Sequence, residues 1–203
     1  MSVFSIRNIT NTSLILGLGG VVFLAGCASQ SANQTAATNH DSHTSAPTAA
    51  LKEGEARLGV PKIIEEEHHA LHEELEAAMK VGGKTGEAAK LVEERLAPHF
   101  KREEEYALPQ LGLLVDLADG KLPADAKKAI ELSDKLKAEL PKMLEEHKGI
   151  VEALDALKKA ATEEKSEVGL KFVETLSHHA VNEEQVMYPA AILVGEYLKL
   201  KTK

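Results

Sequence analysis

From Pro61 onward apolar residues return every three or four positions, and no stretch alternates apolar with polar as a strand would. That period predicts four amphipathic helices. The first spans about 61–80, with Ile64, His68, Leu71 and Leu75 on one face. Pro61 suits its first helical position, and Val81-Gly82-Gly83 stops it. The second begins near Thr85 and turns Val92, Leu96, His99, Glu103 and Tyr106 or Ala107 inward; it runs toward Leu117, with Asp119-Gly120 as the stop. The third starts near Pro123 and carries Ile130, Leu136, Leu140, Met143, His147, Ile150 and Leu154. The fourth covers about Glu164 to Leu198, with Phe172, Leu176, His179, Glu183, Val186 and Ala190 inward. Pro98, Pro109, Pro141 and Pro189 fall inside these runs, where each removes a helix hydrogen bond and should kink or break the rod; the alternative for Pro141 is to open a new helix, as Pro61 does.

The pattern is written twice. At an offset of 80, His99 falls on His179, Glu103 on Glu183, Glu104 on Glu184 and Pro109 on Pro189. The segments before them repeat as well: P-K-I-I-E-E-E-H at 61–68 and P-K-M-L-E-E-H at 141–147. A duplicated two-helix unit with short turns implies an all-α, antiparallel up-down four-helix bundle, its copies related by a pseudo-two-fold axis along the bundle. The bundle would occupy residues 57–203 as one domain.

The start of the chain has a different character. Residues 13–26 form an apolar run behind Arg7, too short for a membrane span of ~20 residues, and Leu24-Ala25-Gly26-Cys27 follows. This tetrad resembles a bacterial lipobox. The expectation is a lipoprotein signal peptide over 1–26, cleavage before the lipidated Cys27, and a flexible tether rich in Ser, Thr, Ala and Asn over 27–56. The exported domain would then be held on a membrane by the acyl chains of Cys27. Ala28 after the cysteine favours the outer membrane, facing the periplasm, in a host with two membranes. His40 and His43 in the tether read as solvated. Cys27 is the one cysteine, so disulfides, cysteine zinc sites and thiol redox centres are excluded from the fold. The net charge of −8 and the lack of a basic patch leave no feature suited to nucleic acid.

Positions i and i+4 of a helix lie one above the other. His99 with Glu103 and His179 with Glu183 therefore point into the bundle together, and His68 and His147 join them from the other helices. Four imidazoles and two carboxylates in one interior suit iron, with manganese or zinc less apt. They are too many for one structural zinc, which takes four donors, and enough for two ions bridged by the carboxylates. Single histidines are common on helices, and runs such as Glu65-Glu66-Glu67 are common solvated faces. Recurrence of both residue types at one phase in both copies separates this set from that background.

These residues resemble the hemerythrin-like HHE cation-binding family over about 60–200. The shared pattern is Glu67-His68…Leu71, His99…Glu103-Glu104…Pro109, Glu146-His147…Ile150 and His179…Glu183-Glu184…Pro189. The resemblance implies a non-haem di-iron centre, with His68, His99, His147 and His179 as terminal ligands and Glu103 and Glu183 as bridges. It also implies an open coordination position for O2 or NO. Oxygen carriers of the family have a fifth histidine where this chain has Met143, and His72, one turn beyond His68, is the candidate replacement. His69 and His178 are expected to be peripheral or exposed.

The first functional expectation is a membrane-tethered di-iron protein that binds O2 or NO for carriage, buffering or sensing. The alternatives are a di-iron peroxidase, oxidase or NO-handling enzyme, in which an inward Tyr106 or Tyr188 supplies an electron, and a metal-free scaffold bundle.

Overall fold

The computed structural model describes residues 58–203. The expected signal peptide over 1–26, the lipidated Cys27 and the tether over 27–56 with His40 and His43 lie outside the described residues. The described chain is all-helical. Its elements are α1 (Lys62–Lys80), α2 (Gly83–Arg102), a π-turn (Glu103–Ala107), a 3-10 turn (Pro109–Leu113), α3 (Leu114–Ala118), α4 (Ala126–Glu164), α5 (Glu167–Asn182), a second π-turn (Glu183–Met187) and α6 (Tyr188–Lys201). Among the described residues no helix is long and apolar enough to cross a membrane.

Local chemistry sets the boundaries. Pro61 stands just outside α1, its carbonyl accepting from the Ile64 and Glu65 amides at 2.8 and 3.2 Å. Gly82 and Gly83 take positive φ (75° and 59°) in the turn into α2, a conformation that costs glycine little. The exposed first amides of α2 find an acceptor across the molecule: Lys84 and Thr85 N–H donate to the two carboxylate oxygens of Glu164, each at 2.9 Å. The single long fourth helix of the sequence reading starts three residues later than expected. Lys165 closes α4 in the left-handed region (φ 56°), and the Ser166 hydroxyl caps α5 by accepting from Gly169 N–H at 3.2 Å.

The prolines act differently from one another. α2 continues through Pro98 and α4 through Pro141, so neither breaks its rod as expected. Packing along both helices outweighs one lost hydrogen bond at each. Pro109 and Pro189 instead mark changes of winding. Before them the Leu108 and Tyr188 amides donate to Glu103 and Glu183 carbonyls five residues back, which is the π pattern. The next residue in each copy is a proline with no amide to extend that ladder, so the wide turn stays single.

That extra residue changes which side chains face the core. A continuous α-helix would turn Val186 inward, as the sequence period predicts. In the structure Val186 is 57% exposed, while Met187 and Tyr188 are buried. Four or five residues, not three, now complete the turn after Glu183.

The core has two principal apolar layers. One gathers Leu71, Leu75, Val92, Leu96, Ile150, Leu154, Phe172 and Leu176; the other gathers Ile64, Tyr106, Leu108, Leu136, Met143, Met187 and Tyr188. On every rod the residues that pass from one layer to the other are histidines and glutamates: His68 on α1, His99 and Glu103 at the end of α2, His147 on α4, His179 and Glu183 at the end of α5.

Candidate metal centre

These six side chains form a polar layer between two apolar ones. Their exposures are His68 2%, His99 1%, Glu103 0%, His147 3%, His179 8% and Glu183 1%. The donor atoms fall into two groups, each spanning less than 4.8 Å: His68, Glu103, His179 and Glu183 form one, His99, Glu103, His147 and Glu183 the other. Both carboxylates belong to both groups, the arrangement expected of bridges between two cations.

The distances within the layer are short. His179 Nε2 lies 2.7 Å and His68 Nε2 3.8 Å from Glu183 Oε1, and His68 Nε2 is 3.7 Å from Glu103 Oε2. In the second group His99 Nε2 and His147 Nε2 approach to 2.8 Å, with Glu103 Oε1 3.5 Å from the former and Glu183 Oε2 3.3 Å from the latter.

An outer ring of four carboxylates fixes the imidazoles. His68 Nδ1 donates to Glu104 Oε1 at 3.1 Å and His147 Nδ1 to Glu184 Oε1 at 2.7 Å. His99 Nδ1 donates to Glu146 Oε2 at 3.0 Å, and His179 Nδ1 lies 3.4 Å from Glu67 Oε2. The ring follows the duplication: the glutamate after each of Glu103 and Glu183 holds one histidine, and the glutamate before each α1 or α4 histidine holds another. With Nδ1 carrying the proton, every Nε2 presents a lone pair to the centre, and such carboxylate–histidine pairs orient metal ligands and raise their basicity. Arg102 steadies one member of the ring, at 3.0 Å from Glu146.

This arrangement is costly for protein atoms alone. His68 Nε2, Glu103 Oε2, His179 Nε2 and Glu183 Oε1 are buried without a hydrogen-bond partner, and they are the four donors of the first group. A buried polar atom left unpaired costs about 1–3 kcal/mol, more when charged. Four such atoms, one on each residue of a group whose donors lie within 4.8 Å of one another, fit a cation, which would satisfy them together. The buried His/Glu groups can thus hold a metal ion; nothing in the geometry selects which metal.

The proton affinities report the same crowding. Burial pulls the His147 imidazole down, but the Glu183 and Glu184 carboxylates outweigh it and raise the group to about 9. His68 and His99 are raised for the same reason, burial being overcome by Glu183, Glu103 and Glu104 for the first and chiefly by Glu103 for the second. Burial and the Glu183 carboxylate push Glu103 up. Glu183, facing His147, His179 and His68, is held well below the usual carboxylate range despite its burial. Burial and the Glu103 and Glu183 carboxylates push the Tyr188 phenol up.

The structure separates the remaining sequence candidates. His72 does not join the cluster, contrary to the expectation of a fifth donor. Its side chain is 44% exposed, 3.9 Å from Glu93, and meets the edge of Phe100 at 5.6 Å between ring centres. Phe100 stacks on His68 at 4.1 Å and so separates His72 from the centre. His69 and His178 are exposed. Tyr106 donates its hydroxyl to Met143 Sδ at 3.3 Å. Tyr188 reaches the centre: its hydroxyl donates to Glu103 Oε1 and lies 3.4 Å from both His99 Nε2 and His147 Nε2.

Sequence reasoning gave no role to Glu67, Glu104, Glu146 and Glu184, although all four stand in the repeated segments. Their signal was the recurrence itself, an acid beside each of His68, Glu103, His147 and Glu183. Compared with known protein families, curated proteins and solved structures, the chain has no significant match to any.

Proposed function

We propose that the protein is a hemerythrin-like non-haem di-iron module that binds O2 or NO reversibly for carriage, buffering or sensing. The observation that carries this reading is the pair of four-donor groups sharing Glu103 and Glu183. Two cations held by the four imidazoles and the two carboxylates would account for all six His and Glu side chains of the layer. When bound, a di-iron pair supplies reversible electron transfer to a small ligand. The chain's own contribution is to orient four Nε2 atoms through the outer glutamates and to exclude water with the apolar layers above and below.

The four rods that carry the ligands cross from layer to layer in alternating directions. This supports reading them as an up-down four-helix bundle, with α6 continuing the rod of α5 and α3 as an addition. The lipobox-like Leu24-Ala25-Gly26-Cys27 supports an exported, lipid-tethered protein, favouring the periplasmic face of an outer membrane.

The test is metal analysis followed by gas binding. The expected result is close to two irons per chain, and a visible absorption band that appears when O2 or NO reaches the anaerobic ferrous protein and fades when the gas is removed. Irreversible oxidation with turnover of a supplied reductant would move the protein to the enzyme class. Absence of any bound metal would leave a scaffold.

A further inference from the structure

The two halves of the cluster differ by one residue. At the offset relating the repeats, Tyr188 corresponds to Leu108, and both are fully buried. Leucine brings no donor. The Tyr188 oxygen, by contrast, lies within 3.4 Å of His99 Nε2 and of His147 Nε2 and hydrogen bonds to Glu103, so it touches three of the four ligands in that half.

The other half has no such neighbour. His68 Nε2 and His179 Nε2 lack partners, and His179 is the most exposed of the six ligands. A cleft of about 530 Å³ opens beside it, with Glu67, Leu71, Thr175, His178, His179 and Asn182 in its walls.

We propose that Tyr188 is itself a metal ligand. Its phenol oxygen completes the His99/His147 position, and the His68/His179 position is the one that takes small exogenous ligands, reached through this cleft. The inference rests on the di-metal reading above. A phenolate oxygen is an anionic donor that iron accepts, as where tyrosine holds haem iron. On coordination the hydroxyl exchanges its hydrogen bond to Glu103 for the cation, and its proton leaves to solvent. The π-turn at Glu183–Met187 makes this possible, because its extra residue brings Tyr188 inward where a regular helix would present Val186. Duplication thus supplies two equal half-sites, and one substitution on one copy makes them unequal.

The test is resonance Raman and absorption spectroscopy of the ferric-loaded protein, with metal content measured on the same sample. Phenolate vibrations enhanced by a phenolate-to-iron band are expected in the wild type and in Tyr106→Phe, whose hydroxyl bonds Met143 instead. They should be lost in Tyr188→Phe while two irons remain. Azide, used as a small anionic probe, should bind once per wild-type chain and twice per Tyr188→Phe chain. Two bound irons without phenolate modes in the wild type would overturn the assignment and leave the di-metal reading intact. So would phenolate modes surviving in Tyr188→Phe, or two azides on the wild type. A wild type that binds no iron brings down both.

Discussion

His99 Nε2 and His147 Nε2 stand 2.8 Å apart while the opposite nitrogen of each ring bonds an outer glutamate. Two imidazoles so oriented bring lone pairs together unless a proton or a cation lies between them. Protonation and metal loading therefore compete for the same space, and the competition is set by His147, raised to about 9 by the carboxylates around it against the effect of burial.

The first prediction is a pH dependence with a defined sign. A histidine whose folded-state value lies above its unfolded value of about 6.5 stabilises the fold fully below that pH and loses the contribution as pH rises through its folded value. Chelator-treated protein should therefore show a falling melting temperature between about pH 6.5 and 9, a loss on the order of 3 kcal/mol if His147 acts alone. Metal affinity should rise over the same range, because the ligand must be neutral. Thermal melts and metal competition titrations across this window check both. A flat melting profile for the metal-free protein would contradict the assignment.

The shared carboxylates give the second prediction. Glu103→Gln and Glu183→Gln keep side-chain volume but remove the charge and one acceptor from both four-donor groups. Each variant should bind at most one ion per chain against the two expected of the wild type, as read by metal analysis after gel filtration. Retention of two ions by either variant would rule out bridging.

The third prediction concerns the outer ring. Glu104→Gln and Glu184→Gln leave all six inner donors in place and weaken the orientation of His68 and His147. Loss of such a partner costs about 10–100-fold in metal affinity. Both variants should therefore bind two ions, each with affinity reduced by about that factor and by similar amounts, since the two contacts are related by the duplication. Competition with a chromophoric chelator measures the change.

Much of this centre was legible because the chain states it twice. His99/Glu103 and His179/Glu183 stand out through recurrence, and i,i+4 geometry alone places each pair on one face. What the sequence did not disclose was winding. A period of 3.6 residues places Val186 inward, and only the π-turn shows that Met187 and Tyr188 take that place. The proline after each π-turn, expected to kink or break the rod, instead keeps the wide turn single. The outer glutamates were hidden for a different reason. Within Glu103-Glu104-Glu105 or Glu65-Glu66-Glu67, which acid reaches a ring nitrogen depends on helix rotation, which composition does not encode. The boundary at Lys165 was legible to within three residues, although the left-handed residue ending α4 is a lysine where glycine is the usual signal.

A last prediction separates the scaffold from the site. Where α6 crosses α4, Gly195 faces Ser133 so closely that an added Cβ would lie 2.3 Å from the serine Cβ and 2.6 Å from its Oγ. The serine cannot readily swing away, because its hydroxyl donates to the Ala191 carbonyl at 2.8 Å. Gly195→Ala gains up to about 1 kcal/mol of helix propensity, but the collision forces the helices apart, and overpacking of this kind costs about 1–3 kcal/mol. The net expectation is a lower melting temperature. Gly195 follows Glu183 by twelve residues, ~18 Å along a helix, so metal content should stay at the wild-type value. Adding Ser133→Gly to Gly195→Ala removes the atoms in collision and should recover part of the loss, a coupling that two independent sites would not show. Additive effects in that double variant would mean that the close approach of α4 and α6 is not what makes Gly195 necessary.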